Sequence, residues 1–130
     1  RGRRLREGAD VALLTVGTVG NAAARAAGRA AAEGVSVAHY DLRFVKPLDE
    51  ALLDEVGRKF RRVVTVEDGS LRGGVGEAVA AFFNGRGYDV LVQRLGIGDE
   101  WVEHGTPGQL YALCGYDEEG ILRALLDTRA

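Results

Sequence analysis

The chain contains no methionine, one cysteine (Cys114), two prolines and one tryptophan among its 130 residues. A lone cysteine cannot close an internal disulfide, so a reducing, cytoplasmic setting is expected. No apolar run approaches the roughly 20 residues needed to cross a bilayer, which argues against a membrane protein. The charge is nearly balanced, with 17 Lys and Arg against 19 Asp and Glu. A nucleic-acid binder is expected to lean basic, so that class loses ground as well. The absence of methionine, with Arg1 at the start, leads to the expectation of a processed chain or a domain cut from a longer protein. Arg1, Arg3, Arg4 and Arg6 make a basic opening. No apolar segment of about 7–15 residues follows it, as a targeting peptide would require.

What the sequence does have is order. With 46% hydrophobic and 28% charged residues it is globular rather than disordered. Asp10 to Val16 is an almost continuously apolar run ending at Gly17, the pattern of a strand covered on both faces. An alanine-rich helix from Asn21 to Glu33 is stopped by Gly34, and Val35 to Tyr40 reads as the next strand. Asp49 is a good N-cap for a helix whose core stripe is Leu52, Leu53, Val56 and Phe60. Arg62 to Glu67 reads as a strand. A helix carrying Val79, Ala80, Phe82 and Phe83 follows, and then a strand from Val90 to Leu95. Thr106-Pro107-Gly108-Gln109 has the form of a capping box and predicts a short helix ending at Gly115. Asp117-Glu118-Glu119 opens a last helix through Leu126.

This alternation predicts one α/β/α domain over residues 1–130: a mainly parallel, about five-stranded sheet between two helical layers, with Arg3 to Arg6 adding an antiparallel edge strand. Ligands of such sheets lie beyond the carboxyl ends of the strands, where strand order reverses. Arg43 and Lys46 fall there. They suit a phosphate or carboxylate, or the docking of a neighbouring domain. Glu67 and Asp68 stand adjacent at a strand end and point to opposite faces, which speaks against a shared acid/base role. Gly73-Gly74-Val75-Gly76 either offers amides to a phosphate or lets a helix start close to the sheet; the dinucleotide and phosphate-loop patterns are both absent. His39 reads as a core histidine, whereas His104, in Glu103-His104-Gly105, is a candidate for an interface contact. No second His or Cys stands at metal-ligand spacing, and Ser70 lacks a nucleophile-elbow context, so no metal and no catalytic residue is assigned.

Taken in order, several segments form one constellation. They are Asp41-Leu42-Arg43-Phe44-Val45-Lys46-Pro47-Leu48-Asp49, Thr65-Val66-Glu67-Asp68-Gly69 with Gly73-Gly74-Val75-Gly76, Arg94-Leu95-Gly96-Ile97, and Glu103-His104-Gly105-Thr106-Pro107. Together they resemble the C-terminal domain of the 1-deoxy-D-xylulose-5-phosphate synthases, enzymes of the transketolase type. The likeness extends over nearly the whole chain and would correspond to the last fifth of such an enzyme. The 2-oxo-acid dehydrogenase E1 β subunits share the arginine-to-Pro-Leu-Asp loop, and a non-catalytic assembly module is a third reading. The Glu103-His104-Gly105 segment favours the synthase. Gly98 stands where the family usually has proline, and Trp101 where it usually has another aromatic.

The resemblance implies a parent that uses thiamine diphosphate and Mg²⁺ to join pyruvate to D-glyceraldehyde 3-phosphate with loss of CO₂, as a homodimer. It also implies that this piece does no chemistry by itself. The family's G-D-G motif and later Asn-Asn pair are missing: the asparagines are Asn21 and Asn84, and Glu67 precedes Asp68-Gly69. The carboxylate that activates the cofactor belongs to a preceding domain of the family. No cofactor residue is therefore carried over. Arg43, Lys46, Glu67, Asp68 and His104 stand as candidates for docking onto the remaining domains or for lining the approach to the active site.

Overall fold

The computed structural model describes residues 2–17, 19–43, 48–68, 74–97, 110–113 and 117–127. Ten elements follow one another: β1 (Arg3–Arg6), β2 (Val11–Val16), α1 (Gly20–Ala32), β3 (Val37–Asp41), α2 (Glu50–Lys59), β4 (Arg62–Asp68), α3 (Val75–Gly85), β5 (Leu91–Ile97), β6 (Leu110–Leu113) and α4 (Asp117–Leu126). The strands form one six-stranded sheet in the order β1-β3-β2-β4-β5-β6. All neighbours run parallel except β1 against β3. The mainly parallel sheet with an antiparallel edge is thus present, and it has one strand beyond the five anticipated.

That extra strand corrects the expected helix before Gly115. Leu110 to Leu113 pairs in register with Arg94 to Ile97 of β5. The capping-box residues Thr106 to Gln109 lie outside the described residues. The physical reason is that β5 would otherwise leave a row of edge amides and carbonyls open. A four-residue apolar run can close that edge, whereas an isolated helix of two turns has little to hold it.

The apolar runs of β2, β3 and β4 are buried on both faces. β2 is buried throughout, and its alternate residues feed two separate clusters. Val11 and Leu13 pack with Ala23, Ala26, Ala27 and Ala30 of α1 and Ile121 and Leu125 of α4. Ala12, Leu14 and Val16 pack with Leu53, Val56, Val79 and Phe83 on α2 and α3. The helices therefore lie in pairs on opposite faces. Burying a side chain such as Leu13 or Leu14 completely contributes about 1.5–3 kcal/mol, so these runs fix the fold.

Local signals set the helix limits. Asp49 Oδ1 accepts from Leu52 N–H at 3.1 Å, as the N-cap reading expected, and Asp49 Oδ2 accepts from Gly2 N–H at 3.0 Å. α1 begins one residue before Asn21, with Val19 at its N-cap position and no side-chain cap. Its C-terminus closes by paired bonds, Gly34 N–H to Ala31 O and Val35 N–H to Ala30 O, with Gly34 at φ 93°. α3 ends at Gly85 and closes in the same way, with Gly87, at φ 77°, bonded through its N–H to Asn84 O and Tyr88 N–H bonded to Phe83 O. α4 has its last carbonyls, those of Ala124 and Leu125, covered by the guanidinium of Arg62 at 3.4 and 2.9 Å.

Candidate functional site

The chain leaves β2 for β3 on one side, then returns past β2 to lay β4 on the other side. Strand order therefore reverses between β2 and β4, and the crevice at their carboxyl ends is where such sheets place function. Val16 and Glu67 are partners across that boundary. Glu67 shares the α2/α3 side of β4 with Val63 and Thr65, because side chains alternate along a strand.

Glu67 is 2% exposed, an unusual setting for a carboxylate. Its Oε1 accepts from Gly76 N–H at 3.2 Å, within the first turn of α3. The N-cap residue Gly74 has no side chain to offer, so a strand carboxylate supplies the anion that this helix end favours. Gly76 itself sits hard against the sheet. A Cβ there would stand 2.5 Å from Arg94 Cγ and 2.6 Å from Thr65 Oγ1. Of the two readings of the glycine-rich segment, this geometry supports close packing of the helix start. Gly76 N–H is already engaged by a carboxylate, and a phosphate brought to the same place would meet like charge.

The other sequence candidates are distributed as follows. Arg43 lies after β3 in the left-handed region at φ 63°, a conformation that side chains other than glycine adopt at a cost. Its N–H donates to Asp41 Oδ1 at 2.9 Å, which fixes the bend, and its side chain is 48% exposed. Asp68 pairs through its backbone with Ile97, while its side chain lies outside the described residues. Lys46 and His104 also lie outside them. His39 is 1% exposed, with Nε2 3.0 Å from Thr15 Oγ1. That hydroxyl is also 3.4 Å from Tyr40 O, so an Nε2–H tautomer donating to Thr15, which donates onward to Tyr40 O, satisfies all three groups. Burial pushes the His39 pKa below its ordinary 6.5, Asp41 opposes that and Arg6 adds to it.

Two features were not legible in the sequence. One is the contact of Arg94 and Thr65 with the start of α3, which depends on the β4–β5 register. The other is a depression of about 440 Å³ at the sheet edge, lined by Gly2, Arg4, Tyr40, Asp49, Leu52 and Glu55. Its charges serve the fold: Arg4 Nη1 stands 3.9 Å from Glu55 Oε2, and Asp49 caps α2. Burial, and then the charge of Glu55, raises the Tyr40 hydroxyl above its usual pKa.

Among the described residues, no group of three or more His, Cys, Asp or Glu side chains is placed to share a metal ion. Among the described residues, the polar groups brought together at the switch point are one carboxylate and one amide. They do not fit a metal-bound diphosphate, which needs several oxygen ligands around the cation and donors around the phosphates.

The architecture is that of a doubly wound α/β domain with its strand-end crevice between β2 and β4. Residues 1–121 match the family model described as transketolase, C-terminal domain, and the chain belongs to that family. It is 54% identical over 130 residues to a protein of Bacteroides fragilis named 1-deoxy-D-xylulose-5-phosphate synthase, covering 99% of this chain and 20% of that one. A protein of the same name from Symbiobacterium thermophilum is 42% identical over 121 residues, covering 93% and 19% respectively. This chain thus spans about a fifth of the length of the curated relatives it matches. Among solved structures, a chain of a split gene transketolase, in an inactive beta4 tetramer, superimposes with a TM-score of 0.75 at 31% identity, covering 96% of this chain and 41% of that one. A 2-oxoglutarate:ferredoxin oxidoreductase from Magnetococcus marinus shares the fold, with a TM-score of 0.58 at 19% identity over 95% of this chain and 18% of that one.

Proposed function

We propose that this chain is the C-terminal domain of a 1-deoxy-D-xylulose-5-phosphate synthase. The parent is a cytoplasmic, homodimeric transferase that uses thiamine diphosphate and Mg²⁺. It condenses pyruvate with D-glyceraldehyde 3-phosphate to 1-deoxy-D-xylulose 5-phosphate and CO₂, and so feeds isoprenoid, thiamine and pyridoxal synthesis. The observation that carries this reading is the 54% identity, over 99% of the chain, to a protein of that name.

Within the parent, the domain holds no cofactor and no metal and serves docking and assembly. The unsuitable donor set at the switch point supports this. Arg43, Lys46, Glu67, Asp68 and His104 are the groups proposed to meet the remaining domains or the approach to the active site. Titration calorimetry of residues 1–130 with thiamine diphosphate and Mg²⁺ tests the reading. No heat of binding is expected, and tight, Mg²⁺-dependent binding would contradict it. Deleting these residues from the parent is expected to abolish turnover and weaken the dimer.

A further inference from the structure

One carboxylate, that of Asp49, holds two distant parts of the chain. Its Oδ1 accepts from Leu52 N–H at 3.1 Å and caps α2, while Oδ2 accepts from Gly2 N–H at 3.0 Å, 47 residues back along the sequence. The cap needs only the first of these oxygens, since Ser, Asn and Asp serve about equally well at such a position. Gly2 is also packed from the side. A Cβ there would stand 2.6 Å from Leu52 Cδ1 and 3.4 Å from both Asp41 O and Asp49 Oδ2. The backbone just ahead of β1 is thus fixed between the start of α2 and the end of β3.

The strand that follows is weakly held. All four residues of β1 are exposed, it pairs with β3 alone among the described strands, and its register shifts between Arg4 and Arg6. Its ion pairs, from Arg4 to Glu7 and to Glu55, are both 3.9 Å long and exposed, the kind that contributes little. A short edge strand of this sort frays unless its end is tied down. Because β1 runs antiparallel to β3, with Arg3 opposite Asp41, that end lies at the carboxyl edge of the sheet. The crevice between β2 and β4 opens on the same edge.

The matching family model is that of a C-terminal domain, so on the reading above the rest of the proposed parent joins this chain ahead of Arg1. We propose that Asp49 anchors that connection: its Oδ2 clips the incoming chain at Gly2, so that a pull from the preceding part of the parent falls on α2 and the core behind it rather than on β1. This rests on the docking reading and names a residue that sets how the domain is seated. α2 suits the task because Leu53 and Val56 bury it in the core shared with β2 and β3. Asp49 acts through Gly2, which makes it a positioning residue.

The test uses the intact parent carrying Asp49→Ser, whose single hydroxyl keeps an acceptor for Leu52 and gives up the one for Gly2. Limited proteolysis reads cleavage ahead of β1, hydrogen exchange reads the Leu52 amide, and steady-state kinetics read the seating of the domain. Cleavage is expected to be at least tenfold faster and kcat/KM at least threefold lower, with Leu52 protection and the unfolding midpoint of the domain unchanged. Cleavage at the wild-type rate would overturn the inference while leaving the docking reading intact. Faster cleavage with wild-type kinetics would overturn it too, by making the bond a purely local tie. Should Asp49→Ser also lose Leu52 protection, Gly2→Pro decides, because it removes the donor and leaves the cap in place. Its kcat/KM is expected to fall at least threefold below that of Gly2→Ala, which brings a Cβ against Leu52 and keeps the N–H; equal values would sink the inference. If deletion of residues 1–130 changes neither dimerisation nor turnover, the docking reading itself fails, and this inference with it.

Discussion

Thr15 Oγ1 and His39 Nε2 meet at 3.0 Å on two adjacent parallel strands, inside a sheet face where neither residue is more than 1% exposed. The imidazole is held neutral there because burial opposes its charged form, with Arg6 adding to that and Asp41 opposing it. The folded pKa lies below the ordinary 6.5, so on acidification the unfolded chain takes up the proton first. Stability is complete above about pH 6.5 and falls as the pH drops from there toward the lower folded value. Urea midpoints measured at about pH 7.5 and 5 are expected to show this fall, and His39→Gln to remove part of it. Parallel pH curves for the two proteins would contradict the assignment.

Arg62 offers a second test, because it joins the start of β4 to the end of α4. Its guanidinium covers the carbonyl oxygens of Ala124 and Leu125. Burial lowers its pKa, with Asp127 and Asp10 opposing, yet an arginine stays charged at any working pH. Arg62→Ala is expected to destabilise the chain by about 1–3 kcal/mol, the usual range for losing a charge-assisted bond to a helix end. Denaturant unfolding checks the value, and fraying should appear first in amide exchange from α4.

Two glycines should respond in opposite directions to alanine. Gly28 lies in the middle of α1 with nothing within 4 Å of an added Cβ. Gly28→Ala is therefore expected to stabilise by about 0.5–1 kcal/mol through helix propensity. At Gly76 the added carbon would collide with Arg94 and with the buried Thr65. Gly76→Ala is expected to cost about 1–3 kcal/mol as the helix start is pushed off the sheet. Equal midpoints for the two variants would show that α3 does not sit as described.

Arg43 separates stability from assembly. Its left-handed backbone at φ 63° costs an L-residue about 1–2 kcal/mol that glycine avoids. Arg43→Gly should therefore raise the unfolding midpoint of the domain, by about 0.5–1 kcal/mol after the greater chain entropy of glycine is allowed for. In the longer parent proposed above, the same change is expected to weaken the proposed dimer or raise KM for substrate. A variant that gains stability and loses nothing in the parent would show that the guanidinium has no docking role.

The ion pairs between α1 and α4 should matter less. Arg25 and Arg29 reach Glu118, and Arg29 also reaches Glu119, all at exposed positions. The bonds from Arg25 and then Arg29 hold the Glu118 carboxyl below its usual pKa. Exposed pairs of this kind are weakened by salt. Glu118→Gln is expected to shift the unfolding midpoint less than Arg62→Ala, and the difference from wild type should vanish in about 1 M salt.

Strand and helix positions for most of the fold were legible because burial on both faces writes itself as mainly apolar runs. Val11 to Val16 and Val63 to Val66 are examples, each interrupted by a single threonine, and the Asp49 cap showed where α2 begins. β6 was not legible. Its four residues follow a good helix-start signal, and what makes them a strand is the open edge of β5, which no local pattern records. The same holds at the site. The sequence placed Glu67 at a strand end beside a glycine-rich turn, and nothing in it told which oxygen would find a donor. That was decided when β2 and β4 came side by side, α3 folded back over Thr65 and Arg94, and Gly76 N–H reached one side of the carboxylate only. Periodicity is a property of neighbours along the chain. The environment of a buried charge is set by groups that meet only after the sheet has closed.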